Sequence, residues 1–335
     1  MKLRQELLAS AHRIVVKLGT GLLTDERNRL APARIAALAR QVATLRDQKQ
    51  QVLLVSSGAI AAGMAEMCLT SRPKQLRELQ AAAAIGQGKL MALYDGAFSK
   101  HGLSVAQILL THDDLKNRDR HLNARNTLET LLARGIVPII NENDTVAVDE
   151  IRFGDNDRLG ALTATLIDAD LLIILSHVEG LLDSRKKVVP VVSEITRDIE
   201  SLAGGTDRET SVGGMKSKIE AAKIVTRSGI PMIIANELSG DGGTVFLPAG
   251  KLTSRKRWIA FFQKPAGVLV VDEGARAALC KGGKSLLAKG VVRSEGKAAV
   301  GDVVSIHDTK DVEFARGLVK ATTGTLVHRD DLVIL

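Results

Sequence analysis

Several polar clusters in this sequence follow apolar runs, and their residue types suit the binding of anions. Residues 14–16, Ile-Val-Val, deliver Lys17 and then Gly19-Thr20-Gly21. Glycine lets a backbone approach an anion closely, and a lysine at a strand end reaches it as a point charge. The order is not that of a Walker A loop, G-x-x-x-x-G-K-[ST]. Residues 51–55 open into Ser56-Ser57-Gly58 and a small-residue helix, whose free N–H groups and dipole make an anion site. Residues 211–218, Ser-Val-Gly-Gly-Met-Lys-Ser-Lys, put a glycine pair and two lysines at another helix start, which again suits phosphate. The densest cluster lies between these. The run 135–140 enters Asn141-Glu142-Asn143-Asp144, and ten residues after Asp144 comes Gly154-Asp155-Asn156-Asp157. Such polar density between a buried strand and a helix belongs beyond the carboxyl ends of a parallel sheet. Taken singly, each cluster also reads as an Asx-rich turn or a serine N-cap.

The elements that must position these residues follow from periodicity. Strands are expected at 14–16, 51–55, 105–110, 135–140, 171–175 and 229–235. Helices are expected at 33–48, 76–99, 123–134, 158–169 and 219–228, with the second broken near Gly86-Gln87-Gly88. The polar opening of the third, 122–126, suits a ligand or a solvated first turn equally. Residues 194–210 read as loop. The run 171–175 is continuously apolar, as a sheet buried on both faces requires. Alternating strands and helices over 14–235 predict a three-layer α/β/α sandwich with a mainly parallel sheet. From about residue 263 the pattern changes to short strands (267–271, 303–306, 332–335), one helix (273–281) and frequent glycine. That predicts domains of 1–262 and 263–335, the second small and mainly β.

Composition bounds the rest. The 335 residues are 45% apolar and 25% charged, the globular norm, with aromatics at only 2%, so Ala, Leu, Val and Ile must build the core. A net charge of +8 favours anionic ligands without requiring nucleic acid. Cys68 and Cys280 fit no metal or CxxC spacing, which suits a reduced, cytoplasmic protein. The charged N-terminus lacks a signal-peptide h-region, and no apolar run is long enough to span a bilayer, so no membrane partner is expected.

The motifs VVKLGTG (15–21), SSGAIAAG (56–63), LNARNT (122–127), INENDTV (140–146), FGDND (153–157), GGMKSK (213–218), RKRWI (255–259) and VDEGA (271–275) resemble, in content and order, the amino acid kinase family. The C-terminal part resembles a PUA domain. Within the family, the closest likeness is to members that phosphorylate the γ-carboxylate of L-glutamate with ATP and Mg²⁺, the first step of L-proline synthesis. The resemblance implies catalytic roles for Lys17, Asp157 and Lys218, with Asp157 orienting the two lysines. It implies glutamate binding by Ser57, Asp144 and Asn156. It places ATP against Lys17, Gly19, Ser176, His177 and residues 212–218: Val212, Gly213, Gly214, Met215, Lys216, Ser217 and Lys218. No protein ligand to the metal is expected, Mg²⁺ arriving on the nucleotide. Feedback inhibition by L-proline and assembly as dimers or tetramers are further implications of the family.

The chain departs from the family pattern in three places. Ser176-His177 stands where a Thr-Asp pair contacts the nucleotide, and a histidine cannot replace a fixed carboxylate acceptor. Val212 stands where threonine often opens the second glycine loop. Only 318–326 remain where the family usually has a longer segment with a helix, so the second domain is shortened. Residues 264–335 hold eleven Lys/Arg, nine Asp/Glu and one aromatic, Phe314. Single-strand RNA sites usually combine basic grooves with stacking aromatics, so RNA binding is not expected. A kinase for another small carboxylate, carbamate or phosphate, and a non-catalytic regulatory or RNA-binding relative, are the competing readings.

Overall fold

Continuous β-branched and leucine runs build the centre of the first unit. The structure is a computed structural model and describes residues 2–25, 29–147, 156–205, 214–236, 243–248, 250 and 252–335. It divides into two compact units, 1–251 and 252–335. In the first, β1 (Arg13–Leu18), β2 (Gln51–Val55), β3 (Val105–Leu110), β4 (Val137–Glu142), β5 (Leu171–Ser176), β6 (Val191–Val192), β7 (Met232–Asn236) and β8 (Thr244–Phe246) form one sheet. The order is β3-β4-β2-β1-β5-β7-β8-β6. All neighbours are parallel except β7 and β8.

β1 lies at the centre, with Lys17 in register with Val55 of β2 and Ile174 of β5. The strand order reverses direction there, and such switch points open ligand crevices at the carboxyl ends of strands. Side chains alternate along β1. Ile14, Val16 and Leu18 join Ile35, Leu38 and Val42 of the helix Pro32–Asp47, and Tyr94 and Phe98 of the helix Leu76–Ser99, in one core. Lys17 therefore faces the opposite layer. There it meets the helix Asp157–Leu166, whose Gly160 comes so close that an added Cβ would stand 3.3 Å from the Lys17 Cβ.

Several sequence expectations need correction. The helix over 76–99 is not broken at Gly86: it runs unbroken for 24 residues. A Cβ on Gly86 would fall 1.8 Å from the Ala59 carbonyl oxygen, and one on Gly63 would fall 1.7 Å from that of Ala82. The glycines let this helix and the helix Ala59–Glu66 touch backbone to backbone. The helix expected at 123–134 begins earlier, as Arg118–Ala133, because the Asn117 side chain accepts from the N–H groups of Asp119 and Arg120. Residues 122–126 thus lie beyond its first turn. Within the stretch read as loop, Arg197–Leu202 is helical, capped by Thr196. The helix expected from 219 starts at Met215.

The second unit holds β9 (Gly267–Val271), β10 (Leu286–Leu287), β11 (Val291–Gly296), β12 (Val303–His307), β13 (Glu313–Val319) and β14 (Thr325–Ile334). They pair in the order β10-β14-β13-β12-β9-β11. Where the longer family segment would stand, a short turn joins β13 directly to antiparallel β14. The helix Glu273–Gly282, capped by Asp272, closes a core of Val271, Leu279, Val304, Ile306, Phe314, Val327 and Leu332. Residues 254–262, read from sequence as the end of the first domain, group with this unit. The Arg316 guanidinium donates to the Ala260 carbonyl at 2.8 Å.

The Gly63–Gly86 crossing has a measurable cost for any side chain. Gly86→Ala is expected to destabilise by about 2–3 kcal/mol through overpacking. Gly88→Ala, on the same helix with open space around it, should instead be neutral or stabilise by up to about 1 kcal/mol. Denaturant unfolding of both variants checks the contrast, and similar midpoints would contradict it.

Candidate active site

Three charged side chains meet under the sheet's carboxyl edge. Lys17 ends β1, Asp157 is the first residue of the helix Asp157–Leu166, and Lys218 sits in the first turn of the helix Met215–Arg227. Lys17 Nζ stands 2.6 Å from Asp157 Oδ1, and Lys218 Nζ donates to Asp157 Oδ2 at 2.9 Å. The Ser217 hydroxyl donates to the same Oδ2 at 3.0 Å. The three are buried, at 6%, 0% and 2% exposure. Burial alone would raise the Asp157 carboxyl, but Lys17 and Lys218 outweigh it and hold the group down at about 2. The aspartate is thus a fixed anion between two cations, with lysine or serine on each oxygen. It is suited to orienting them and not to taking up a proton.

A polar pocket lies beside this triad. Ser57, Asp144 and Asn156 line it together with Thr20, Gly58, Arg72, Asn141 and Glu142. Gly58, at φ 89°, turns the chain after β2 into the helix Ala59–Glu66, so Ser57 sits at that helix's N-terminal end. Asn156 is the N-cap residue of the helix that begins with Asp157, so adjacent residues serve the pocket and the triad. Inside the pocket wall, Asn156 Nδ2 donates to the Ser56 carbonyl (2.5 Å) and to Asn141 Oδ1 (2.7 Å). Burial raises Asp144 to about 6, with Arg72 pulling the other way. Burial likewise lowers Arg72, against the pull of Asp144.

Arg72, Thr20 and Asn141 escaped the sequence reading as binding residues. Arg72 lies in a Thr-Ser-Arg-Pro turn whose only signal is one charge, and nothing local says that the turn folds back over Asp144. Gly19 closes the end of β1, its N–H donating to the Leu175 carbonyl at 3.0 Å next to Ser176. Ser176 is buried and His177 exposed at the end of β5. The His177 carbonyl accepts from Asn236 Nδ2, which also donates to Glu179 Oε1 at 2.9 Å. Gly214 precedes the helix Met215–Arg227, with Lys216 exposed and Met215 and Ser217 half-buried in its first turn. Val212 and Gly213 lie outside the described residues. Among the described residues, no group of three or more His, Cys, Asp or Glu is placed to hold a metal.

Residues 12–236 match the Amino acid kinase family and residues 267–331 the PUA domain. The glutamate 5-kinase of Citrifermentans bemidjiense is 44% identical over 373 aligned positions, covering 99% of this chain and 100% of that protein. The alignment is longer than this 335-residue chain, so the relative carries residues that this chain lacks. The glutamate 5-kinase of Caldanaerobacter subterraneus subsp. tengcongensis is 45% identical over 96% of this chain and 98% of its own length. Among solved structures, the carbamate kinase from Giardia lamblia bound to AMP-PNP aligns with a TM-score of 0.50 at 16% identity. The match covers 71% of this chain and 99% of that one, and is a likeness of fold. The chain belongs to the amino acid kinase family and, within it, to the group of proteins named glutamate 5-kinase.

The Asp144 carboxyl generates a prediction about stability. Its pKa rises from the ordinary 3.8 to about 6 on folding. Its contribution is therefore fully present below the unfolded value and lost as pH rises through about 6. Asp144→Asn should raise the thermal midpoint by roughly a few degrees near pH 8 and leave it unchanged near pH 4. Equal gains at both pH values would contradict the shift.

Proposed function

We infer that this protein transfers the γ-phosphoryl group of ATP to the γ-carboxylate of L-glutamate, giving γ-glutamyl phosphate and ADP, the first step of L-proline biosynthesis. The observation that carries the reading is the buried Lys17–Asp157–Lys218 triad, one residue away from a pocket bearing both an acid and a base. Phosphoryl transfer needs positioning and charge neutralisation more than covalent help. Both reactants are anions, and two lysines held in a water-poor site oppose their repulsion and stabilise charge on the transferring group. A carboxylate nucleophile, with a pKa of about 4.3, is already ionised at neutral pH, so no general base is required. Asp157 keeps the lysines in place while remaining ionised itself.

In the pocket, Asp144 receives the substrate ammonium, and Ser57 with the amides that open the helix Ala59–Glu66 takes a carboxylate. An acceptor such as carbamate or phosphate has no ammonium and would leave Asp144 without the cation that it receives from glutamate. Lysine or serine holds each Asp157 oxygen, so the residues suit a metal that arrives on the nucleotide. Mg²⁺ bound to phosphates and water would neutralise charge there. Gly19, Ser176, His177 and the first turn after Gly214 form the nucleotide side, where His177 tolerates ATP through its backbone and not as a carboxylate acceptor. Inhibition by L-proline, assembly as dimers or tetramers and a cytoplasmic location complete the reading. Inhibitor titration and sedimentation velocity test the first two. No helix among the described residues is long and apolar enough to cross a membrane.

A coupled ADP-release assay with MgATP and L-glutamate, with hydroxylamine to trap the acyl phosphate, tests the reaction. L-aspartate and N-acetyl-L-glutamate serve as alternative acceptors. No glutamate-dependent turnover by a folded sample would refute it. Lys218→Ala should lower kcat by at least about 10²-fold with the fold retained, because it removes transition-state charge stabilisation. An unchanged kcat would take the lysine out of that role. The glutamate KM should rise as pH falls through about 6, where Asp144 protonates, while the ATP KM stays level. Asp144→Asn should raise the glutamate KM far more than the ATP KM and flatten that pH dependence, and a parallel rise in both constants would argue against the ammonium contact.

A further inference from the structure

A chain of side-chain amides runs from the pocket wall into the long helix behind it. Asn156 and Asn141 are nearly fully buried, at 6% and 2% exposure. Asn156 Nδ2 donates to the Ser56 carbonyl and to Asn141 Oδ1. Asn141 Oδ1 also accepts from the Glu142 N–H at 3.0 Å. Asn141 Nδ2 then donates to Gln87 Oε1 at 2.8 Å. Gln87 Nε2, at the far end, is buried and makes no hydrogen bond among the described residues.

The direction of this chain is set at its two backbone contacts. A carbonyl oxygen can only accept and a backbone N–H can only donate. The Ser56 carbonyl requires the NH₂ of Asn156 to point inward, and the Glu142 N–H requires the oxygen of Asn141 to point toward it. Asn141 must then offer its NH₂ to Gln87, which must answer with its oxygen. Both N–H groups of Asn156 Nδ2 are used within the wall. Its Oδ1 is the polar atom left for the pocket that Asn156 lines. That atom is an acceptor, and the donor on an amino acid substrate is its ammonium.

We infer that Gln87 is a positioning and specificity-determining residue: it holds Asn141 in place and, through it, steadies the Asn156 amide, whose oxygen the Ser56 contact turns toward the substrate, so that Asn156 Oδ1 and Asp144 together read the ammonium of glutamate. The inference rests on the proposed acceptor. Gln87 does not touch the substrate and acts through Asn141. It sits next to Gly86, so the backbone contact between the helices Ala59–Glu66 and Leu76–Ser99 sets where the relay ends. Without the Gln87 oxygen, the Asn141 NH₂ is a buried donor with no partner. Turning the two asparagine amides over would then relieve one lost bond only by creating clashes at Ser56 and Glu142.

The test compares L-glutamate with glutarate, the same diacid without the amine, in wild type, Gln87→Met and Gln87→Glu. Glutarate is measured as an acceptor and as a competitive inhibitor. Gln87→Met is expected to raise the glutamate KM about tenfold, the effect of one buried hydrogen bond lost. The kcat, the ATP KM and the glutarate constant should move by less than about threefold, since none depends on the ammonium. Gln87→Glu keeps an acceptor oxygen for Asn141 and gives up only a donor that makes no bond among the described residues. It should reverse most of the rise in the glutamate KM and recover most of the lost preference for glutamate over glutarate. Both are required, because glutarate carries one more net negative charge and the added carboxylate by itself weakens it more than glutamate. Equal losses on the two diacids, no change on either, or a Gln87→Glu ratio no better than that of Gln87→Met overturns the relay. A folded wild-type enzyme that turns over neither diacid refutes the functional reading, and the relay with it, which is a different result from a flat ratio.

Discussion

One carboxylate holding two lysines under the sheet is the constraint on which the rest of the first unit depends. Burying three charges is costly, and the attraction among them offsets that cost only when the geometry is good. Asp157 meets the condition with Lys17 on one oxygen and Lys218 and Ser217 on the other. The arrangement leaves one net positive charge in a buried site, which contributes little to stability and is suited to an anion. It also forces three elements to converge: the end of β1, the start of the helix Asp157–Leu166 and the start of the helix Met215–Arg227. Gly160 is part of the same constraint, since a side chain there would press on the stem of Lys17.

The pocket and the triad are joined at a single peptide. Asn156 belongs to the pocket wall and Asp157 to the triad, and both stand at one helix N-terminus. A shift of that helix therefore moves one wall of the pocket and the carboxylate of the triad together. The opposite wall is set by a different device, the backbone contact at Gly63 and Gly86. It seats the helix that follows Ser57-Gly58 and the helix that carries Gln87 and Tyr94. Tyr94, the chain's only tyrosine, is fully buried with its hydroxyl 3.0 Å from the Ser56 hydroxyl. A chain so poor in aromatics thus spends one of its few on the strand end beside the pocket.

Much of this was legible beforehand, for physical reasons that can be named. Parallel strands buried on both faces must be apolar throughout, so 51–55, 135–140 and 171–175 stood out against amphipathic helices. Lysine, glycine and Asx residues clustered after those strands are the types that anion chemistry uses, and their order resembled one family. The break expected at Gly86 failed because glycine has two uses, to end a helix or to admit a neighbour, and a single sequence does not separate them. The starts at Arg118 and Met215 were missed because capping acts through one side chain or one backbone turn, which periodicity does not register.

The sequence by itself determined the alternation of strands and helices, the identity of the charged and amide residues beside the sheet, and the change of pattern in the last quarter of the chain. These are local properties, carried by the period of the apolar positions and by residue type. Only the tertiary structure decided which of those residues meet. Lys17 and Lys218 lie far apart in the chain and share one carboxylate because β1 is central in the sheet. Arg72 reaches the pocket of Asp144 because its turn folds back over it. Gln87 supports Asn156 through Asn141 because two helices touch at glycines. Such pairings follow from strand order and helix crossing, and both are set by the packing of the whole core.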